Sequence, residues 1–138
     1  MNMRVLAIDP GVRSGWVYWD GQTLSDCGEA DQMGICGIIS TTEADVVVIE
    51  AYRIMQSTLR ESRQTASLEI IGAARYLAHR KGAKFILQTA GDAKAFITDS
   101  KLRKLGWYFA GLGHARDAAR HLGLYLAKHE HNREVLSA

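Results

Sequence analysis

The chain has 138 residues, 47% of them hydrophobic and 23% charged, with a net charge of +2. That is ordinary globular composition, long enough for one domain with its own core, and no stretch is apolar enough to span a membrane. Two cysteines, Cys27 and Cys36, are too few for a zinc site or a disulfide framework. They point to a reducing, cytoplasmic setting and to use as small buried hydrophobes.

The elements follow in chain order. RVLAID is an apolar run ended by Pro10-Gly11, so it reads as a first, buried strand with no signal peptide before it. SGWVYWD is a second strand, in which Trp16, Val17, Tyr18 and Trp19 alternate as strand residues do. Asp20-Gly21 makes a hairpin turn, and QTLSDCGEA returns antiparallel. ADQMGICGIIS spaces Met33, Ile35, Ile38 and Ile39 as a helix, weakened by Gly34 and Gly37. ADVVVIE is a central parallel strand buried on both faces, and a polar loop, RIMQSTLRES, follows.

QTASLEIIGAARYLAHRKG is a helix whose stripe is Ala66, Ile70, Ala73 and Leu77, widened by Ala74 and ended by Gly82. AKFILQT is a fifth strand, TDSKLRKLGW a short helix opened by Thr98 or Asp99, and HARDAARHLGLYLAKH a last amphipathic helix. His79 and His121 are expected on helix surfaces, and residues 130–138 as a flexible tail. The order predicts an α/β fold: a mixed five-stranded sheet, an antiparallel hairpin plus parallel strands, flanked by helices on both faces.

Charge is unevenly spread. Residues 1–52 hold two arginines against eight acids, whereas residues 53–104 hold eleven basic residues against four acids. An acidic pocket beside a basic surface suits a polyanion, although basic residues also decorate solvated helix faces.

Three acids stand out. Asp9 and Glu50 end apolar strands, and ligands gather beyond the carboxyl ends of strands in open α/β sheets. His114 and Asp117 stand three apart and share a helix face. Singly, each has an ordinary alternative: Asp9 as a turn cap, Glu50 paired with Arg53, His114–Asp117 as a surface pair. Jointly they bring ligands from three elements to one point. Carboxylates so crowded repel unless divalent cations lie between them, and a pair of such cations clamps the attacking and leaving oxygens of a phosphodiester.

Asp9 in IDPG, Glu50 in VIEAY and His114-x-x-Asp117-Ala118 resemble the RuvC Holliday-junction resolvases, in motif order and spacing over most of the chain. The compact length and DAKAFITDSKLRKLGW resemble the bacteriophage branch. The resemblance implies a single RNase H-like domain over residues 1–138, a homodimer acting on branched DNA, and cleavage with two Mg²⁺ ions per site, for which Mn²⁺ substitutes. It implies a catalytic and metal-binding set of Asp9, Glu50, Asp117 and His114, the last as ligand or as proton acceptor. A phage origin would place the protein in the cytoplasm of a bacterial host. DNA-contacting lysines map most closely onto Lys94 and Lys101. Arg53, Arg60, Arg63, Arg103 and Lys104 are further phosphate-contact candidates from the basic segment. Tyr52 is the nearest aromatic to the residue that opens the junction in some relatives, and Arg53 is closer to it in spacing. The small residues Gly72, Ala73 and Ala74 suit either a dimer seam or packing on the chain's own sheet, and the pattern favours the latter. Trp107, Tyr108 and Phe109 favour core packing over base stacking.

Other readings keep part of this pattern: a flap, fork or RNA–DNA hybrid nuclease on the same fold, a junction-binding protein that does not cut, and an actin-like nucleotide-binding domain. The last needs a second phosphate-binding hairpin that the sequence does not show.

Overall fold

The five expected strands form: the apolar β1 (Val5–Asp9) and β4 (Val46–Ala51), the aromatic-rich β2 (Ser14–Trp19), the more polar β3 (Leu24–Ala30) and β5 (Lys84–Thr89). They come from a computed structural model that describes residues 2–52 and 62–138. Arg53 and Arg60 therefore lie outside the described residues, as do the rest of the segment expected to form a polar loop up to residue 61 and the side chain of Arg63. The sheet order is β3-β2-β1-β4-β5. β1, β2 and β3 form the antiparallel part, and β4 runs parallel to both β1 and β5. Gly21 takes φ +104° at the β2–β3 turn, a left-handed value that only glycine adopts at little cost. Asp20 accepts from the backbone N–H groups of Gln22 and Thr23 in the same turn.

Strand alternation divides the core in two. Val5, Ala7, Val17, Val46 and Val48 face one side, where α5 (Gly113–Glu130) lays down Ala118, Ala119, Leu122 and Leu126. Leu6, Ile8, Val47 and Ile49 face the other, against Ile35 and Ile39 of α1 (Gln32–Thr41) and Ile70, Ala74 and Ala78 of α2 (Ser62–Lys81). The glycines in α1 are tolerated because both isoleucines are fully covered and Asp31 caps the helix through the Gly34 N–H. Leu6→Ala should cost about 2–5 kcal/mol in urea unfolding, whereas Met33→Ala, at a side chain 80% exposed, should stay within roughly 0.5 kcal/mol.

Several expectations change. The buried stripe of α2 is Ala66, Ile70, Ala74 and Ala78, one steady step of four. Ala73 and Leu77 are only half-buried. A helix missing from the sequence reading, α3 (Ala90–Phe96), is capped by Thr89 and buries only Ala93, too little apolar pattern to detect. α4 (Asp99–Leu105) is opened by a Thr98 cap, as expected, and is closed by Gly106. Residues 133–137, expected in a flexible tail, form α6 (Arg133–Ser137), with Val135 buried in the core on the α5 face. Cys27 and Cys36 are partly exposed rather than buried. Among the described residues no helix is long and apolar enough to cross a membrane.

Candidate active site

Register alone aligns a row of residues across the sheet. Glu29 pairs with Gly15, Gly15 with Asp9, and Glu50 with Gln88. Ile8 pairs with Ile49, so Asp9 and Glu50 follow as neighbours at the carboxyl ends of parallel strands. All five share the parity of Ala7, Val17 and Val48, and therefore face α5. The apolar core gives way at this level to a polar row under one helix.

α5 answers with a stripe spaced i, i+3, i+7: His114, Asp117 and His121. Its first turn has no side-chain cap of its own. Glu29 supplies one from the sheet, accepting from the His114 backbone N–H at 2.9 Å. Burial pushes the Glu29 carboxyl up, but this hydrogen bond and the Arg13 guanidinium 3.1 Å away together hold it below the usual carboxylate range. The helix comes this close because residue 15 has no side chain. A Cβ there would lie 2.0 Å from the His114 carbonyl carbon and oxygen.

Each acid is turned to a basic or donor partner. Asp9 Oδ2 is 3.1 Å from His114 Nδ1, Glu50 Oε1 is 3.1 Å from His121 Nε2, and Asp117 Oδ1 is 3.3 Å from Arg120 Nε. Arg120 also binds Asp99 and donates to the Ile97 carbonyl at 2.7 Å, which ties α5 to the start of α4. Asp9 is buried, and its carboxyl is pushed up to about 7: by burial first, then by the Glu50 charge, with Asp117 adding to both and His114 opposing. Glu50, His114 and Asp117, the other residues singled out in the sequence, thus all lie within electrostatic reach of Asp9. Among the described residues, no three Asp, Glu, His or Cys side chains are already closed into a ligand set. Two cavities open here. One of about 460 Å³ is lined by Glu29, His114, Asp117 and Arg120, and one of about 710 Å³ by Glu50, Tyr52 and Thr89.

The expected DNA contacts divide. Lys94 and Lys104 are exposed. Lys101 is engaged within the chain, donating to the Phe96 carbonyl at 2.9 Å and lying over the Phe96 ring. Arg103 and Arg116 both sit over the Tyr108 ring, at 4.1 and 4.6 Å. Trp107 packs edge-on against Trp19 in the core, while Tyr108 and Phe109 are half-buried.

His121 corrects the sequence reading. It is not on the surface but 1% exposed, between Glu50 and Gln88. Its spacing from His114 and Asp117 placed it on their face, and that signal was available. Gln88, Glu29, Gly15 and Arg120 were also missed, since nothing local marks them.

The mixed sheet order, with helices on both faces, is the RNase H-like fold. No family model and no curated protein matches the chain. Two solved structures of Thermus thermophilus RuvC do. The one described as a complex with Holliday junction substrate matches with TM-score 0.69 and 14% identity, over 91% of this chain and 95% of that one. The other matches with TM-score 0.63 and 15% identity, over 91% and 96%. At this identity the likeness establishes a shared fold over nearly the whole length of both proteins.

Proposed function

We propose that the chain is a metal-dependent, structure-selective DNA endonuclease of the bacteriophage RuvC type, which resolves four-way junctions as a homodimer in the cytoplasm of a bacterial host. The observation that carries this reading is the crowding at Asp9: a buried strand-end carboxyl, raised by Glu50 and Asp117, under a helix that also brings His114. Its donor chemistry fits a hard divalent cation such as Mg²⁺ or Mn²⁺, because oxygen ligands of like charge are what such ions neutralise. Asp9, Glu50 and Asp117 would hold two such ions, with His114 as a further ligand or as the proton acceptor. When bound, the ions supply an activated water and stabilise charge developing on the phosphate.

The chain's own residues do the rest. His114 is half-exposed at the mouth of the site, where its ring can reach both Asp9 and solvent. Arg120 and Glu29 fix the α5 end that carries His114 and Asp117. Exposed Lys94 and Lys104, with Arg53, Arg60, Arg63, Lys101 and Arg103, would meet phosphates and make binding strongly salt-dependent. Tyr52 lines the larger cavity beside Glu50 and would be the residue that meets a base at an opened junction. Support for a two-fold dimer comes from α2, whose outer face exposes Leu68 and Tyr76 on either side of Gly72, where an added Cβ would meet nothing. Two sites so related would nick opposing strands of a symmetric junction.

Labelled four-way, three-way and linear DNA, each incubated with Mg²⁺, Mn²⁺ or chelator, tests the reading. Paired symmetric nicks in the four-way DNA alone, abolished by chelator, are expected. Cutting of every branched form, or of RNA–DNA hybrid, would replace the resolvase with a broader nuclease of the same fold. Binding without cutting would overturn it.

A further inference from the structure

Resting on the nuclease reading, we infer that His121 is a positioning residue: Gln88 fixes its ring with the proton on Nε2, so that it donates a permanent hydrogen bond to Glu50. The tautomer follows from the partners. The Gln88 amide nitrogen lies 2.9 Å from the His121 main-chain oxygen, which can only accept. Turning the amide over would set two oxygens against each other, so its NH₂ group faces the histidine. That same nitrogen lies 3.2 Å from His121 Nδ1. An NH₂ group cannot accept, so Nδ1 must be bare, and the proton of a neutral ring sits on Nε2. Nε2 is 3.1 Å from Glu50 Oε1, and a carboxylate only accepts.

Burial makes the arrangement rigid. His121 is 1% and Gln88 8% exposed, so neither exchanges its partners for water. Gln88 Oε1 is itself buried with no partner among the described residues. An orphaned oxygen is costly, and the amide tolerates it while donating twice to one histidine. The register places the pair where it acts, because Gln88 lies directly beside Glu50 on β5 and His121 sits above both. By engaging one Glu50 oxygen, the ring stops the side chain rotating and leaves the other oxygen for a cation. Partners standing behind a ligand in this way commonly change cation affinity by about 10–100-fold.

Two measurements on the full chain decide this. Long-range ¹H–¹⁵N spectra of the protein without metal or DNA should show His121 with a protonated Nε2 and a bare Nδ1, and Gln88→Leu should weaken that preference. A ring protonated on Nδ1, or on both nitrogens near neutral pH, overturns the inference. Mn²⁺ titration followed by electron paramagnetic resonance should then show affinity falling about 10–100-fold in His121→Leu. Affinity should be largely retained in His121→Gln, whose amide nitrogen stands near the Nε2 position. Circular dichroism establishes that each variant is folded. Should His121→Leu misfold, the spectra and His121→Gln still decide the question. Wild-type affinity in a folded His121→Leu sinks this inference alone. A wild-type protein that binds no Mn²⁺ sinks the nuclease reading and the positioning role together.

Discussion

Asp9→Asn should give a protein that is more stable and catalytically silent. Burial and the Glu50 charge push the folded carboxyl up to about 7, against about 3.9 in an unfolded chain. Between those values the folded state holds a proton that the unfolded state has released. Stability from this group is therefore complete below about pH 4 and is lost as pH rises through about 7. Three units correspond to about 4 kcal/mol, so in urea unfolding without divalent ions Asp9→Asn should gain about 2–4 kcal/mol at about pH 8 and almost nothing at about pH 4. Asparagine keeps the shape and a hydrogen-bond partner for His114 but cannot neutralise a cation. Junction cleavage should fall by at least about a hundredfold, more than the loss of a partner behind the ligands usually costs. Unchanged stability at both pH values, or full cleavage, would contradict the assignment.

Gly15→Ala should be among the most damaging single-methyl additions in the chain. The new Cβ would lie 2.0 Å from the carbonyl of His114 and 2.4 Å from the Ala115 nitrogen. Both are backbone atoms of a helix whose other turns are buried against the sheet, so no side chain can swing aside. The helix must lift off, which uncouples His114 from Asp9 and from Glu29. A loss of roughly 3 kcal/mol or more is expected, beyond ordinary overpacking. Thermal unfolding checks it, and a wild-type midpoint would mean that α5 does not approach β2 this closely.

Much of this was legible beforehand because two periodicities carried it. Strands β1 and β4 open as continuous apolar runs, and Asp9, the last residue of β1, and Glu50, the last but one of β4, announce themselves by breaking the run. Asp117 and His114 could be set on one helix face by counting. What counting cannot supply is which face of α5 meets the sheet. The polar end of the stripe looks solvent-facing, so His121 read as surface when it is the most enclosed member. Gln88 and Glu29 owe their places to strand register, which appears only when β5 pairs with β4 and β3 with β2. Gly15 looks like any glycine near a turn, and its reason is a helix about a hundred residues away in sequence. α3 and α6 are short and bury one residue each, so a cap and a single contact decide them rather than a pattern.

The most direct measurement is a carbon-13 NMR titration of the Asp9 carboxyl, with and without millimolar Mg²⁺. Mutual repulsion in a buried place predicts a midpoint of about 7 in the metal-free protein and a drop by several units once Mg²⁺ binds. A midpoint in the ordinary carboxylate range without metal, or a high one that Mg²⁺ leaves unmoved, would show that these acids do not share a cation.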